Sequence, residues 1–240
     1  MPQLALWQWL IGAFCAFMIG VAKTGMPGVG ILVVPLMVLM VGNTRASAGW
    51  LLPILCTADC FAVLYWRRHA AAGKLFSLAP WVIAGMLAGA FALNLEEKIM
   101  RPMVGFIILI MLLLHLYRRY KGELHAVHGG PYGIAAGFAT TVANAAGPVM
   151  NLFLLTKNLP KEEFIATGAW FFFFINLVKV PIYIYHRLFT RDSITFAFCM
   201  IPAVLTGAMA GRWLLGRISP KVFEGKVILL TALSTFLLFR

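Results

Sequence analysis

Three ionisable side chains interrupt otherwise apolar stretches of this 240-residue chain, and they are Lys23, Asp59 and Lys179. A charged group at membrane depth is costly, so such residues usually face a protein interior or a water-filled path and help to move ions or protons. Two lysines and one aspartate carry a net charge of +1, which favours a bound anion. We therefore predict that Lys23 and Lys179 bind an anion and that Asp59 carries a coupling proton or acts as a gate.

Each of the three residues also has a purely structural interpretation. Lys179 can extend its long side chain towards the membrane surface. Asp59 is too short to do so, but it can pair with Lys23 or Lys179 and hold two helices together.

Glycine and proline break the apolar stretches at two points. The first break is Lys23-Thr24-Gly25-Met26-Pro27-Gly28, and the second is Asn144-Ala145-Ala146-Gly147-Pro148. In membrane transporters, half-helices that begin at such breaks direct their positive N-terminal ends at anionic substrates. A single break is also common as a harmless kink. Two breaks in matching positions favour the transporter interpretation.

We predict a substrate-binding set drawn from the two breaks and from the surroundings of Lys179. Asn176 belongs to it because it lies one helical turn before Lys179 on the same face. Asn151, after the second break, serves at least as well as an interhelical hydrogen-bonding residue and is not included. The set comprises Lys23, Thr24, Gly25, Gly28, Asn144, Gly147, Asn176 and Lys179.

The sequence contains none of the usual signatures of an enzyme. It has no Ser/His/Asp combination, no nucleotide-binding loop and no HExxH motif. His125 and His128 have no matching cysteines or carboxylates, and Cys56 and Cys60 do not form a CxxC pair. We predict a protein that is not an enzyme, with no cofactor and no metal site.

The composition is that of a protein embedded in lipid. Hydrophobic residues make up 62% of the chain and charged residues 12%, against about 45–50% and about 25% in soluble domains. A chain of this size cannot bury so much apolar surface within itself. Apolar runs with at most one charge each cover residues 1–22, 24–44, 46–66, 75–95, 102–117, 129–156, 164–186, 193–211 and 227–239. We predict an all-α polytopic membrane protein.

The net charge of +12 is largely explained by loops between the apolar runs. One set of alternate loops holds eleven basic residues: Arg67, Arg68, Lys74, Arg118, Arg119, Lys121, Lys157, Lys161, Arg212, Arg217 and Lys221. The loops on the opposite side, together with the C-terminal residue, hold six: Arg45, Lys98, Arg101, Arg187, Arg191 and Arg240. The positive-inside rule places the first set in the cytoplasm and both termini outside. Nucleic-acid binding is not expected, because the basic residues are spread over short loops.

Similar patterns recur at an offset of 120 to 122 residues. Gly85-Met86-Leu87-Ala88-Gly89 matches 207–211, Trp50 matches Trp170, and the first break matches the second. Each half contains a short broken helix pair and three longer transmembrane runs. Whether the short pair crosses the membrane twice or enters it as a re-entrant hairpin, each half makes an odd number of crossings, so the halves must be inverted. We predict an N-terminal repeat at 1–120, a cytoplasmic linker at 121–130 and a C-terminal repeat at 131–240 in one membrane domain.

These residues resemble the sulfite exporter TauE/SafE family, within the 4-toluene sulfonate uptake permease superfamily. The resemblance is carried by Lys-Thr-Gly-Met-Pro-Gly-Val-Gly at 23–30, Arg-Arg-His at 67–69, and the segments 51–59, 144–148 and 167–179. It covers essentially the whole chain. It implies a carrier in the bacterial cytoplasmic membrane for sulfite, sulfoacetate or another organosulfonate.

Together, the residues and the resemblance predict a secondary transporter that moves a small sulfur-containing anion by alternating access, coupled to protons. A passive anion channel lined by the same residues is the alternative, followed by a membrane scaffold that transports nothing. The expected partners are the anion, the lipid bilayer and a coupling proton.

Overall fold

The protein is described here from a computed structural model. It describes residues 2, 4–27, 29–66, 78–93, 96–121 and 128–219, together with 222, 225, 226, 228 and 229. These residues form helices and connecting turns, without a β-strand among them. The helices are α1 (Leu6–Thr24), α2 (Val33–Val41), α3 (Thr44–Trp66), α4 (Ala79–Ala92), α5 (Glu97–Lys121), α6 (Gly129–Ala143), α7 (Ala146–Leu155), α8 (Lys161–Tyr185), α9 (Arg191–Cys199) and α10 (Ile201–Arg217).

By length and hydropathy, three of the described helices can cross a membrane: α1, α3 and α8. The pair α9 and α10 qualifies as a fourth span if it is counted as one bent element, with an angle of 47° between its parts. The chain is therefore an all-helical, multi-pass membrane protein. Helices α6 and α7 have 15 and 10 residues, fewer than the roughly 20 residues that a spanning helix needs.

Both sequence breaks interrupt helices. Helix α1 ends at Thr24, and a short 3-10 turn, Val29–Leu32, leads into α2. Helix α6 ends at Asn144, whose backbone has the left-handed conformation with φ 52°. Asparagine tolerates this conformation better than most residues do, so the residue type suits the end of the helix. Helix α7 begins two residues later.

The apolar run at 193–211 contains a bend. It bends at Met200, and α10 begins with Ile201-Pro202. Proline has no N–H group, and its ring collides with the carbonyl four residues earlier, so it favours the first turn of a new helix.

Helix pairs from opposite halves of the chain pack closely. Helix α1 packs along α10, α4 packs along α6, and α3 packs along α8. Glycines permit the first two contacts: a Cβ atom at Gly207 of α10 would collide with the carbonyl oxygen of Phe17, and one at Gly85 of α4 with that of Ile134. Small residues let membrane helices approach in this way.

We expect Gly207→Ala to destabilise the protein, because the added methyl group collides with the α1 backbone. Overpacking of this kind costs about 1–3 kcal/mol, or a fall in melting temperature of about 2 to 12 °C. The matched control is Gly216→Ala on the same helix, where the added atom meets nothing within 4 Å. Melting temperatures in detergent measure both, and equal values for the two variants would contradict close packing of α1 on α10.

Several sequence predictions fall on residues outside the described ranges. They are the basic loop with Arg67, Arg68 and Lys74, most of the linker at 121–130, and most of the last apolar run. The orientation of the termini and the inverted relation of the halves therefore stay predictions.

Candidate functional site

A cavity of about 110 Å³ lies where the two breaks meet α8. Its volume is several times that needed for one water molecule. Its polar lining comes from α1, α6, α7 and α8: Lys23, Thr140, Asn144, Asn151, Asn176 and Lys179. Pro27 and Gly30 of the first break and Gly147 and Pro148 of the second also line it.

Lys179 is fully buried and lies at the cavity wall. Its ammonium group donates to the side chain of Asn144, to Thr140 Oγ1 at 3.1 Å and to the Thr140 carbonyl oxygen at 3.4 Å. These acceptors are neutral, and no carboxylate lies within ion-pair distance of Lys179 among the described residues. Within the described part of the chain, the positive charge therefore has hydrogen-bond partners but no ion-pair partner.

Lys23 has an ion-pair partner. Its ammonium lies 2.6 Å from Asp59 Oδ1, and Asn176 donates to Asp59 Oδ2 at 2.5 Å. The Asp59 side chain is 0% exposed. The Lys23 ammonium also lies 4.0 Å from the centre of the Phe172 ring, a distance suited to a cation–π contact. Lys23, Asp59 and Asn176 together link α1, α3 and α8 beside the cavity.

The charges around the cavity sum to +1. Lys23 and Asp59 neutralise each other, and Lys179 supplies the remainder. A buried charge without a counter-ion is unfavourable in a medium of low polarity. An anion placed beside Lys179 relieves that cost, so the electrostatics of the cavity favour anion binding.

The N-terminus of α7 adds backbone donors to the same cavity. The first N–H groups of a helix have no partner within it, and in α7 these belong to Ala146 and Gly147, because Pro148 has none. Gly147 lines the cavity, and a Cβ atom there would meet nothing within 4 Å. A helix N-terminus also carries a partial positive charge that attracts anions.

The structure brings five residues of the predicted binding set to the cavity and places two elsewhere. Lys23, Asn144, Gly147, Asn176 and Lys179 line it, and Asp59 contacts two of them. The two outside the lining are Thr24 and Gly25, and Gly28 lies outside the described residues.

Thr24 and Gly25 instead contact α10. The Thr24 hydroxyl donates to the carbonyl oxygens of Gly20 at 3.0 Å and Ala208 at 2.7 Å. A Cβ atom at Gly25 would collide with the Gly211 backbone. Thr24 and Gly25 therefore hold the C-terminal end of α1 against α10.

Sequence reasoning overlooked Thr140. It lies four residues before Asn144, hence on the same helix face, and provides two of the three acceptors for Lys179. That spacing was visible in the sequence, but a threonine in an apolar helix more often bonds to its own backbone, as Thr141 does to Gly137.

The cavity is asymmetric along α8. Its lining residues on this helix run from Phe164 to Lys179, a rise of about 22 Å along the helix, whereas among the described residues of α3 only Leu55 lines it. At the opposite end of α8, Tyr183 is fully buried with Leu52 and Leu188, and the Leu188 carbonyl oxygen leaves no room for a Cβ atom at Gly49. The C-terminal end of α8 is therefore tightly packed.

No group of three or more His, Cys, Asp or Glu side chains capable of holding a metal ion occurs in the described part of the chain.

Comparison with known proteins gives one match. The family model described as Sulfite exporter TauE/SafE matches residues 11–238, nearly the whole chain. No curated protein and no solved structure matches.

Proposed function

Because this chain belongs to the sulfite exporter TauE/SafE family, a family of membrane transporters, we propose that it is a secondary transporter whose anionic substrate binds in the cavity beside Lys179. The substrate is a small sulfur-containing anion such as sulfite, sulfoacetate or another organosulfonate. The observation that carries the proposal is the Lys179 ammonium, buried at a cavity wall, whose hydrogen-bond partners among the described residues are all neutral.

The charge and lining of the cavity favour a singly charged anion with a small apolar group. Lys179 can balance one negative charge, whereas a second charge would remain uncompensated in a buried site. Away from Lys179, the wall is formed by Phe164, Ile165 and Phe172. An alkylsulfonate with one charge fits this pattern better than a dianion such as sulfate or sulfoacetate, and hydrogen sulfite matches the pattern in its charge alone.

The pattern of helix packing supports two inverted repeats. At the offset of about 121 residues, α1 corresponds to α6, α3 to α8 and α4 to α10. A symmetry operation that exchanges the two halves therefore superposes the α1–α10 contact on the α6–α4 contact. The same operation superposes the α3–α8 contact on itself. Both contacts exist and both depend on glycine. Such repeats are typical of alternating-access transporters.

In this scheme, the cavity faces the cytoplasm. The count of basic residues places the N-terminal end of α8 on that side, and the cavity extends towards this end. The packed cluster of Leu52, Tyr183 and Leu188 is then the closed external gate. Opening it while the cytoplasmic side closes would give alternating access.

The Lys23–Asp59 pair provides a mechanism for proton coupling. When Asp59 takes up a proton, its negative charge disappears and the charge around the cavity rises from +1 to +2. Proton uptake then strengthens anion binding, and by linkage anion binding strengthens proton uptake. The anion and the proton therefore move in the same direction across the bacterial cytoplasmic membrane.

Transport into proteoliposomes tests this proposal. With the membrane potential clamped, an imposed pH gradient is expected to drive labelled sulfite or methanesulfonate above its external concentration, and a protonophore is expected to abolish the accumulation. A thermal-shift series with sulfite, methanesulfonate, sulfoacetate, taurine, thiosulfate and sulfate ranks the substrates, because a ligand that binds only the folded state stabilises it.

Other results identify the alternatives. Flux that only equilibrates the anion, with no response to the pH gradient, indicates a passive channel. Absence of flux together with absence of stabilisation by every anion indicates a scaffold.

A further inference from the structure

Asn151 lies on α7 and has a buried donor without a partner among the described residues. The residue is 2% exposed, and its side-chain nitrogen makes no hydrogen bond within the described part of the chain. A buried amide left without a partner destabilises a protein, because it loses its hydrogen bonds to water and gains none in return. Buried polar groups of this kind are rare and require an explanation.

Asn151 lines the cavity, as does Gly147 one helical turn earlier. One face of α7 therefore places the glycine at the helix N-terminus and the asparagine amide at the cavity wall. Gly30 is the residue of the first break that corresponds to Asn151, 121 residues earlier. It lines the same cavity but has no side chain, so only the second break has a side-chain donor at this position.

We propose that Asn151 is a substrate-binding residue whose amide N–H donates to an oxygen of the transported oxyanion, completing a set of donors with Lys179 and the N-terminus of α7. This inference rests on the proposed anion transport and adds a specificity-determining residue to it. An anion with several acceptor oxygens can satisfy Lys179 and Asn151 together. A halide is a single spherical acceptor, so the donor selects oxyanions over halides.

The proposal predicts opposite effects on the empty and the anion-bound protein. Asn151→Leu removes an unpartnered donor from a buried position and replaces it with an apolar side chain of similar size. The melting temperature without anion is expected to stay the same or rise. A helix-joining role for Asn151 predicts the reverse, a lower melting temperature and unchanged anion binding.

The experiment measures anion-dependent thermal shifts of the purified full-length wild type, Asn151→Leu and Asn151→Asp with sodium sulfite and sodium methanesulfonate, with sodium chloride at equal ionic strength as the reference. Loss of a hydrogen bond to a charged group is expected to weaken the Kd of both oxyanions about 10- to 100-fold in Asn151→Leu. Asn151→Asp, which places a carboxylate against the anion, is expected to weaken them further. The ratio of oxyanion to chloride affinity falls in both variants.

Each result decides one of the two claims. An Asn151→Leu variant that binds both oxyanions as tightly as the wild type overturns the role of Asn151 and leaves the proposed transport intact. A wild type that no sulfur oxyanion stabilises overturns the proposed function, and the role of Asn151 with it. A lower melting temperature in Asn151→Leu with unchanged Kd identifies a structural residue.

Discussion

Lys179→Met is expected to abolish anion transport while the protein still folds. The substitution removes the one charge at the cavity wall that lacks a counter-ion among the described residues, and it retains most of the side-chain volume. Loss of a buried charge that contacts a ligand costs about 2–5 kcal/mol, so the Kd for sulfite rises about 30-fold or more. Flux in proteoliposomes falls to the level of empty liposomes.

Folding is expected to survive because the change removes a buried charge whose partners are neutral. Thr140 and Asn144 each lose a donor, but the unfavourable burial of an ammonium disappears as well. The matched control is Lys98→Met, which removes a lysine with 77% side-chain exposure from a surface pair with Glu96. Such pairs contribute little. Wild-type flux in the Lys179 variant would refute the proposed binding site.

Lys23→Met is expected to destabilise the protein strongly, and Asp59→Asn in the same chain to restore most of the loss. Lys23→Met alone leaves the fully buried Asp59 carboxylate with Asn176 as its one remaining donor among the described residues. Breaking a buried pair by removing one partner costs about 3–5 kcal/mol, a fall in melting temperature of about 6 to 20 °C. The double variant contains no uncompensated charge at this position.

A double-mutant cycle of melting temperatures measures this coupling. Additive effects of the two substitutions would show that the residues do not depend on each other and would contradict the ion pair.

The same double variant separates anion binding from proton coupling. Lys179 remains in place, so sulfite is expected to stabilise the double variant as it does the wild type, with a Kd within about threefold. Asp59 can no longer take up a proton, and an imposed pH gradient should therefore drive no accumulation. Accumulation at the wild-type level would exclude Asp59 as the coupling residue.

The predictions that depended on local sequence agree with the structure. Residues 46–66 and 164–186 were expected to be apolar helices, and α3 and α8 cover nearly the same ranges. The two breaks lie at Gly25 and Asn144, where the Gly/Pro strings indicated them. Uniform hydrophobicity and helix-breaking residues act over a few neighbouring positions, so they can be recognised without tertiary contacts.

The partners of the ionisable residues were not predictable in the same way. The sequence allowed Asp59 to pair with either lysine, and the structure pairs it with Lys23. Lys179 instead contacts Thr140 and Asn144, 39 and 35 residues away. These partners depend on which faces of α1, α3, α6 and α8 meet, and that is determined by packing between distant segments.

Sequence alone thus determined that this chain is a helical membrane protein of the TauE/SafE family with very few charges in its apolar runs, because hydropathy and motifs are local properties. Only the tertiary structure decided which of those charges is neutralised and which faces a cavity. It also showed that Thr24 and Gly25 join helices, and that the Asn151 donor has no partner in the described part of the chain. The reason is physical: a side chain's charge balance depends on neighbours brought together by folding.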